Sequence, residues 1–239
     1  WSNEEMVNTD IGTVIGDIMN DANYDAQNPI LDNLAITNKR YTRLANVNAG
    51  LEIDLTKDLT FRSSGSYMWQ QVRQDYWDDG STKQANANKS PYGYGYRNNN
   101  ERFSWQITNT LNYGFNLNEL HNFTLLLGQE TFYEESMYLD NEYRSFSDGN
   151  FSLNDVSMGS PYTWNSGKER SGIVSGFGRL FYNYNDRYLF TGTLRADGSS
   201  KFARGKQWGY FPSASAAWRI SEERFMESLD YLDNLKLRI

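Results

Sequence analysis

The sequence has 239 residues, a formal net charge of -7 and 15% aromatic residues, with no cysteine and a single histidine. The acidic balance argues against a nucleic-acid surface, which needs clustered Lys and Arg to displace counterions from phosphates, and the lack of cysteine excludes disulfides and thiolate chemistry. The mean hydropathy is -0.74, and the longest aliphatic run, Leu125 to Leu127, is far shorter than the roughly 20 apolar residues of a spanning helix.

The first 40 residues are the least strand-like part of the chain. Apolar residues recur there at helical spacing, at Ile11, Val14, Ile15, Ile18 and Met19. Asn28 and Pro29 then break the pattern. A helix lying on a membrane surface would carry a basic polar face, and this one does not. We therefore predict that residues 1–40 form a large loop with a short helix.

Residues 41–239 are dominated by strands with a two-residue alternation of apolar and polar side chains. Residues 45–55 and 59–70 form a hairpin about the turn 56–58, and further strands follow at 105–116 and from Phe123 to roughly Leu139. The clearest alternation lies between residues 174 and 220, where three strands each carry one uncharged face. A stub begins at Leu235, so we predict seven strands and a stub.

The predicted connections alternate in length, as do the short periplasmic turns and longer extracellular loops of outer-membrane barrels. They are short at 56–58, 117–121 and 185–186, and long at about 71–101 and 140–170. Aromatic residues flank the short turns like an interfacial girdle, at Tyr113, Phe115, Phe123, Tyr182, Tyr184 and Tyr188. The pattern predicts an all-β fold, an antiparallel transmembrane β-barrel present in part, with residues 1–40 and the long loops extracellular. A soluble β-sandwich also alternates and stays open at this point.

Catalytic and metal-binding constellations are poorly supported. The only imidazole, His121, falls in a predicted short turn, without the nucleophile and orienting partner that a catalytic base requires. Asp75, Asp78 and Asp79 precede Gly80, but the run does not follow the 12-residue calcium-loop pattern. We predict that the chain is not an enzyme and has no catalytic residue, metal site or cofactor. The glycines of GYGY at 93–96 and GFG at 176–178 lack the strand-to-helix context of phosphate loops, which favours ordinary strand or loop glycine.

Aromatic residues in the predicted extracellular loops are the candidate binding residues, because their faces can stack on sugar rings or dock a partner. They are Trp77, Tyr92, Tyr94, Tyr96, Tyr162 and Trp164. Asp197 to Ser200 ends a strand and is predicted to shape the turn, with Gly198 supplying a positive φ and the serine hydroxyls capping backbone groups.

Residues 175–226 carry an ordered series of motifs: GRL at 178–180, YNY at 182–184, DRYL at 186–189, LRADGSS at 194–200, WGYFPSA at 208–214 and WRISEERFM at 218–226. Through these motifs the segment closely resembles the barrel of SusC-like (RagA-type) TonB-dependent transporters of the outer membrane of Bacteroidetes. Residues 41–140 are compatible with the same barrel. The family barrel has about 22 strands and a plugged lumen, so the resemblance implies that this chain is about a third of the wall.

The resemblance also implies a function and partners. It implies uptake of a glycan or a peptide, a SusD-like lipoprotein over the outer mouth, and energy from the TonB-ExbB-ExbD complex. No plug domain, TonB-binding segment, signal peptide or closing aromatic strand is expected in this chain, and both ends look cut from something longer. The alternatives are a soluble β-sandwich carbohydrate-binding module and a passive porin.

Overall fold

The computed structural model describes residues 33–87, 90, 92–148, 151–226 and 233–239. The short helix predicted within residues 1–40 lies outside the described residues. The strands form one eight-stranded sheet in sequence order. They are β1 (Ile36–Thr56), β2 (Leu59–Asp78), β3 (Tyr94–Leu117), β4 (His121–Arg144), β5 (Ser160–Tyr184), β6 (Tyr188–Ser199), β7 (Trp208–Arg219) and β8 (Lys236–Arg238). The predicted seven strands and a stub are therefore confirmed.

The helical elements of the described residues are short and lie outside the strands. They are residues 33–35, α1 (Lys83–Ala87) and three 3-10 turns at Val156–Met158, Ile220–Glu222 and Arg224–Met226. No helix in this part of the chain is long and apolar enough to cross a membrane.

The predicted long loops at 71–101 and 140–170 are wrong in extent, because strands occupy much of both ranges. β2 continues to Asp78 and β3 begins at Tyr94, while β4 continues to Arg144 and β5 begins at Ser160. The strand β5 has 25 residues, whereas a membrane crossing needs roughly 9–11. The extra length carries polar side chains on both faces, so the alternation in hydropathy disappears although the strand goes on.

The predicted turn at 185–186 lies in a three-residue connection, 185–187, because β5 ends at Tyr184 and β6 begins at Tyr188, which pair with each other. Asn185 and Asp186 both have positive φ, 48° and 54°, and the Arg187 N–H donates to the Tyr184 carbonyl at 3.0 Å. Two consecutive left-handed residues define a type I′ turn, whose twist matches that of the flanking strands. Asn and Asp tolerate this conformation better than other residues with a side chain. The turn fixes the register of β5 against β6.

Contacts divide the chain into two compact units. The first comprises Trp1–Arg43, Gln71–Glu101 and Met137–Gly167, and the second comprises Leu44–Gln70, Arg102–Ser136 and Lys168–Ile239. Among the described residues, the buried apolar side chains are Ala35, Ala85, Tyr94, Phe146 and Leu153. All of them belong to the first unit, so the sheet of the second unit has no apolar core of its own in this part of the chain.

Candidate functional site

The uncharged faces predicted for β5, β6 and β7 lie in register. Val174 pairs with Gly198 and Gly198 with Trp208, and Leu180 pairs with Gly192. At the opposite end Tyr188 pairs with Trp218. Because residues of one parity share one face of a strand, the register forms a continuous apolar surface.

This apolar face is uncovered. Leu127 is 50% exposed and Leu194 is 55% exposed, and all the described strands belong to one sheet. A β-sandwich would bury these side chains against a second sheet. The soluble β-sandwich alternative is therefore wrong, since an uncovered apolar face of this extent requires another apolar phase.

Aromatic rings line the apolar face beside the short turns, as the girdle prediction states. The rings of Phe115 and Phe123 stack with centroids 4.9 Å apart, and Phe123 stacks on Tyr182 at 4.7 Å. The row continues through Tyr184 and Tyr188 to Trp218. We call this row the lower girdle: Tyr113, Phe115, Phe123, Tyr182, Tyr184, Tyr188 and Trp218.

His121 packs against the lower girdle. Its Nδ1 lies 2.8 Å from the Tyr182 hydroxyl, and its ring is 4.8 Å from that of Tyr184. The histidine thus supports aromatic packing beside the turn, which is a structural role.

A second row of rings, which the sequence analysis missed, lies toward the longer connections. Tyr133 packs against Phe103 at 5.6 Å and Trp105 at 6.0 Å between centroids, and Phe103 packs against Tyr67 at 6.0 Å. We call Tyr67, Phe103, Trp105, Tyr133 and Trp208 the upper girdle. The sequence contained a signal for this row, because aromatic residues recur ten residues along a strand from those of the lower girdle, as at Trp105 and Phe115 on β3.

The spacing of the two girdles matches a bilayer. Phe123 and Tyr133 are ten residues apart on β4, which at about 3.3 Å per residue corresponds to about 33 Å along the strand. A tilt of about 40° reduces this to about 25 Å, the height of the apolar band of outer-membrane barrels.

Charged side chains begin on this face directly beyond the upper girdle. Glu135 accepts from Lys168 Nζ at 2.6 Å and from Arg170 Nε at 2.7 Å. The hydrogen bond from Lys168, followed by that from Arg170, holds the pKa of the Glu135 carboxyl below its usual range. The carboxylate therefore stays ionised, and the two cations that share it leave a net positive charge.

The opposite face of the same sheet carries a polar network centred on Arg195. Its Nη2 donates to Glu130 at 2.9 Å and to the Ser175 hydroxyl at 2.9 Å, and its Nε donates to Asp197 at 2.7 Å. Glu130 in turn accepts from Gln106 at 3.0 Å. The network joins β3, β4, β5 and β6, and further along this face Arg62 pairs with Glu52 at 2.7 Å. Such a face suits the polar interior of a barrel.

All six predicted aromatic binding residues lie in the first unit, and their environments differ. Trp77 packs edge-on against Phe146 at 4.8 Å, Tyr96 stacks on Tyr76 at 4.8 Å, and Tyr94 is only 7% exposed. Burial raises the pKa of the Tyr94 hydroxyl above its usual range, so the side chain stays neutral. These three rings hold the connection between β2 and β3 together.

The other three predicted aromatic residues are exposed. Tyr92 is 50% exposed, Tyr162 60% and Trp164 71%. The guanidinium of Arg144 lies 3.5 Å from the Tyr162 ring centroid, a cation–π contact that fixes the ring while one face stays accessible. Of the six predicted rings, these three are the ones exposed to solvent.

Trp77 also accounts for two glycines of the GYGY segment. A Cβ at Gly93 would lie 2.6 Å from Trp77 Cζ2, and Gly93 has a φ of +104°. A Cβ at Gly95 would lie 2.5 Å from the Tyr76 carbonyl oxygen. The two glycines serve close packing.

The acidic residues of the β2–β3 connection are occupied by protein partners. Asp75 makes a two-pronged pair with Arg97, at 2.8 and 3.1 Å. The buried Asp78 accepts from the Gly80 N–H at 3.0 Å and from the Thr82 hydroxyl. Asp79 accepts from the Ser81 N–H at 2.9 Å. The carboxylates therefore shape the loop.

The prediction for Asp197 to Ser200 is confirmed for the serine and wrong for the glycine. The Ser200 hydroxyl accepts from the Gly172 N–H at 2.8 Å. Gly198, however, lies in extended conformation within β6, where a Cβ would meet the Trp208 ring at 3.0 Å. The positive φ occurs at Gly205 instead, at 82°. Gly198 is needed so that the Trp208 ring can lie over the strand.

The sheet with one apolar face between two aromatic girdles and one polar face defines the wall of a transmembrane β-barrel. Residues 5–238 match the family model described as TonB dependent receptor-like, beta-barrel. The chain therefore belongs to this family of outer-membrane receptors, as the SusC-like resemblance predicts.

Curated relatives agree with this assignment. The chain is 50% identical to TonB-dependent receptor SusC of Bacteroides thetaiotaomicron over 70 residues, which are 29% of this chain and 7% of SusC. It is 29% identical to TonB-dependent receptor P39 of Formosa agariphila over 195 residues, which are 79% of this chain and 18% of that receptor. The chain thus spans less than a fifth of the length of these relatives.

A solved structure shows the same fold. The structure of the RagAB peptide transporter matches with a TM-score of 0.78 and 21% identity, over 86% of this chain and 23% of the other. The match establishes the partial barrel, which confirms the predicted fold class.

Proposed function

We propose that the protein carrying this chain is a TonB-dependent importer of the outer membrane, and that the chain supplies seven strands and a stub of its barrel wall. The observation that carries the proposal is the two-faced sheet. One face is apolar over the height of a bilayer and the other carries the Arg195 network. Membership of the TonB-dependent receptor family supports energy-driven uptake over passive diffusion.

The substrate class is an oligosaccharide or a peptide. The polar face offers carboxylates, guanidinium groups and hydroxyls, which suit the hydrogen bonds of either class. A structural neighbour is titled a peptide transporter, which supports peptides. Exposed aromatic rings such as Trp164 support sugars, whose faces stack on them.

The partners are a SusD-like lipoprotein at the outer mouth and the TonB-ExbB-ExbD complex at the periplasmic side. Tyr92, Tyr162 and Trp164 would contact the lipoprotein or the substrate, because their rings are exposed in the first unit. Trp77, Tyr94 and Tyr96 would support that surface from beneath through their packing.

Uptake in cells tests the proposal. Cells that express the full-length protein would be given a labelled oligosaccharide mixture or a labelled peptide mixture, with and without TonB and with and without the neighbouring SusD-like lipoprotein. If the protein is an importer, one of the two mixtures will be taken up, and its uptake will require TonB. Uptake that persists without TonB would instead identify a passive porin.

Alanine variants test the exposed rings. Tyr162→Ala combined with Trp164→Ala should weaken uptake at limiting substrate by severalfold. Phe225→Ala is the matched control, because Phe225 is 63% exposed but lies in a 3-10 turn beyond β7. Equal uptake by the original protein, the double variant and Phe225→Ala would show that the two rings do not contribute to uptake.

A further inference from the structure

An open groove crosses the apolar face of the second unit at the level of the upper girdle. Its volume is about 380 Å³. We define the groove by Trp105, Tyr133, Gly172, Val174, Gly198 and Trp208. Its depth arises at Gly172, which has no side chain to fill the space beside Tyr133 on β4, while the Trp208 ring on β7 covers Gly198.

The groove has a defined shape because its walls are fixed. Tyr133 is held by stacking on Trp105 at 6.0 Å, and its hydroxyl donates to Glu135 at 3.1 Å. The ring of Trp208 lies over Gly198. Gly172 on the floor is held from both sides by Ser200, which donates to its carbonyl at 2.9 Å and accepts from its N–H at 2.8 Å.

Cationic residues adjoin the lining of the groove along the chain. Lys168 and Arg170 precede Gly172 on the same face of β5 and share the single carboxylate of Glu135. The connection from β6 to β7, which begins at Ser200 and ends at Gln207 on the groove wall, adds three exposed cations and no acidic residue. We call Lys168, Arg170, Lys201, Arg204 and Lys206 the cationic collar.

The collar stands out against the charge of the chain. Two of its five cations share the Glu135 carboxylate and the other three lie in a connection without an acidic residue, whereas the whole sequence has a net charge of -7. The groove beneath is apolar and opens on the face that meets lipid. An apolar slot below a cluster of cations complements an amphiphile with an anionic head, because anionic lipid surfaces attract Lys and Arg and hydrocarbon fills apolar slots.

We propose that the groove and the cationic collar bind a phosphorylated lipid of the outer leaflet, with an acyl chain in the groove and a phosphate at the collar. The longer connections of such barrels face outward, which places the groove in the outer leaflet. The inference requires the barrel to span the outer membrane but does not require that it imports anything.

Lipid binding to the purified full-length protein tests the proposal. The protein in mild detergent would be titrated with lipid A, a bisphosphorylated glycolipid, and with zwitterionic phosphatidylcholine, and bound lipid would be counted by native mass spectrometry. Retained lipid A at concentrations where phosphatidylcholine is lost is the expected result. Equal retention of both lipids would overturn the proposal.

Two variants with matched controls locate the site. Gly172→Leu fills the groove, whereas Gly176→Leu adds the same side chain four residues away on the same face, where a Cβ meets nothing within 4 Å. Replacing Lys201, Arg204 and Lys206 together by Gln removes most of the collar, and replacing the exposed Lys39, Arg40 and Lys57 by Gln is the charge-matched control.

The groove and collar variants should each bind lipid A at least tenfold more weakly, and the controls should bind it like the original protein. Unchanged binding in Gly172→Leu, or an equal loss in Gly176→Leu, would contradict the site. Heat-dependent gel migration shows whether each variant has assembled into a barrel. If the collar variant has not assembled, lipid A binding to Gly172→Leu alone decides whether the site exists. Because uptake is not measured, failure here leaves the importer proposal intact.

Discussion

Arg195 on β6 reaches across β5 to Glu130 on β4, with 2.9 Å between Nη2 and Oε1. On the way it donates to Ser175, which is 1% exposed. The pair therefore ties three strands together on the polar face. A single guanidinium can do this because its donors are arranged in a rigid fork.

Removing that guanidinium should loosen the wall. Arg195→Ala leaves Glu130 and Asp197 facing each other without a cation, and we expect a loss of about 1 kcal/mol, since the pair is partly solvent-exposed. The temperature at which the full-length barrel loses its compact gel mobility measures the effect. Arg179→Ala is the control, because Arg179 lies on the same face and, among the described residues, donates to the neutral Thr193 hydroxyl at 3.3 Å.

Adding one methyl group at Gly198 should disturb the Trp208 ring. A Cβ there would lie 3.0 Å from two ring atoms, and overpacking of this kind costs about 1–3 kcal/mol. Gly192→Ala, at ordinary contact distance from Phe190 on the same strand, should be neutral. If Gly198→Ala is as stable as Gly192→Ala, the position of the Trp208 ring does not depend on a glycine at residue 198.

Neighbouring residues on β3 should respond differently to a charge. Leu111→Arg places a cation on the apolar face, at a cost of about 2–4 kcal/mol near the bilayer midplane. Asn112→Arg points to the polar face and should be tolerated. The amount of assembled, heat-modifiable protein in isolated outer membranes distinguishes them, and equal assembly of both variants would contradict the assigned faces.

Acid should weaken the region around Glu223. This carboxylate accepts from the Tyr188 hydroxyl at 2.6 Å and from Trp218 Nε1 at 3.0 Å, and the bond from Tyr188, followed by that from Trp218, lowers its pKa. A lowered folded-state pKa gives stability that is full above the usual Glu pKa of about 4.3 and is lost as the pH falls through the lower folded value.

The measurement is the unfolding temperature of the full-length barrel at pH 7 and pH 3. Glu223→Gln should lose part of the stability at pH 7 and depend less on pH. Glu222→Gln, at the exposed neighbouring position, should behave like the original protein. An unchanged pH dependence in Glu223→Gln would refute the assignment.

The fold was predictable wherever one strand face had to be apolar. The alternation through Tyr188, Phe190 and Leu194 predicts both the strand and the face that pairs with β5 and β7. The strand extensions were not predictable, because beyond Leu139 polar residues lie on both faces of β4, at 140–142, and hydropathy no longer shows which side chains share a face. The periodicity of β strands is visible only where the two faces meet different media.

The candidate site was predictable only in part. Aromatic residues of the loops are conspicuous in sequence, but whether a ring is exposed like Trp164 or packed like Tyr94 depends on partners distant in sequence. Phe146 and Leu153, for example, complete the core around the β2–β3 connection. The groove depends on the register that brings Gly198 beside Trp208, which no local pattern reveals.

The assignment of the two faces to lipid and lumen is the central claim, and labelling of single cysteines tests it most directly. The chain has no cysteine, so Thr193→Cys and Leu194→Cys place one thiol on each face at adjacent positions of β6. In cells that express the full-length protein with any cysteine elsewhere replaced by Ser, a charged, water-soluble maleimide should label Thr193→Cys and leave Leu194→Cys unlabelled, because a thiol that faces lipid stays protonated. Both variants should react after denaturation in detergent. Labelling of Leu194→Cys by the water-soluble reagent would contradict a lipid-facing wall.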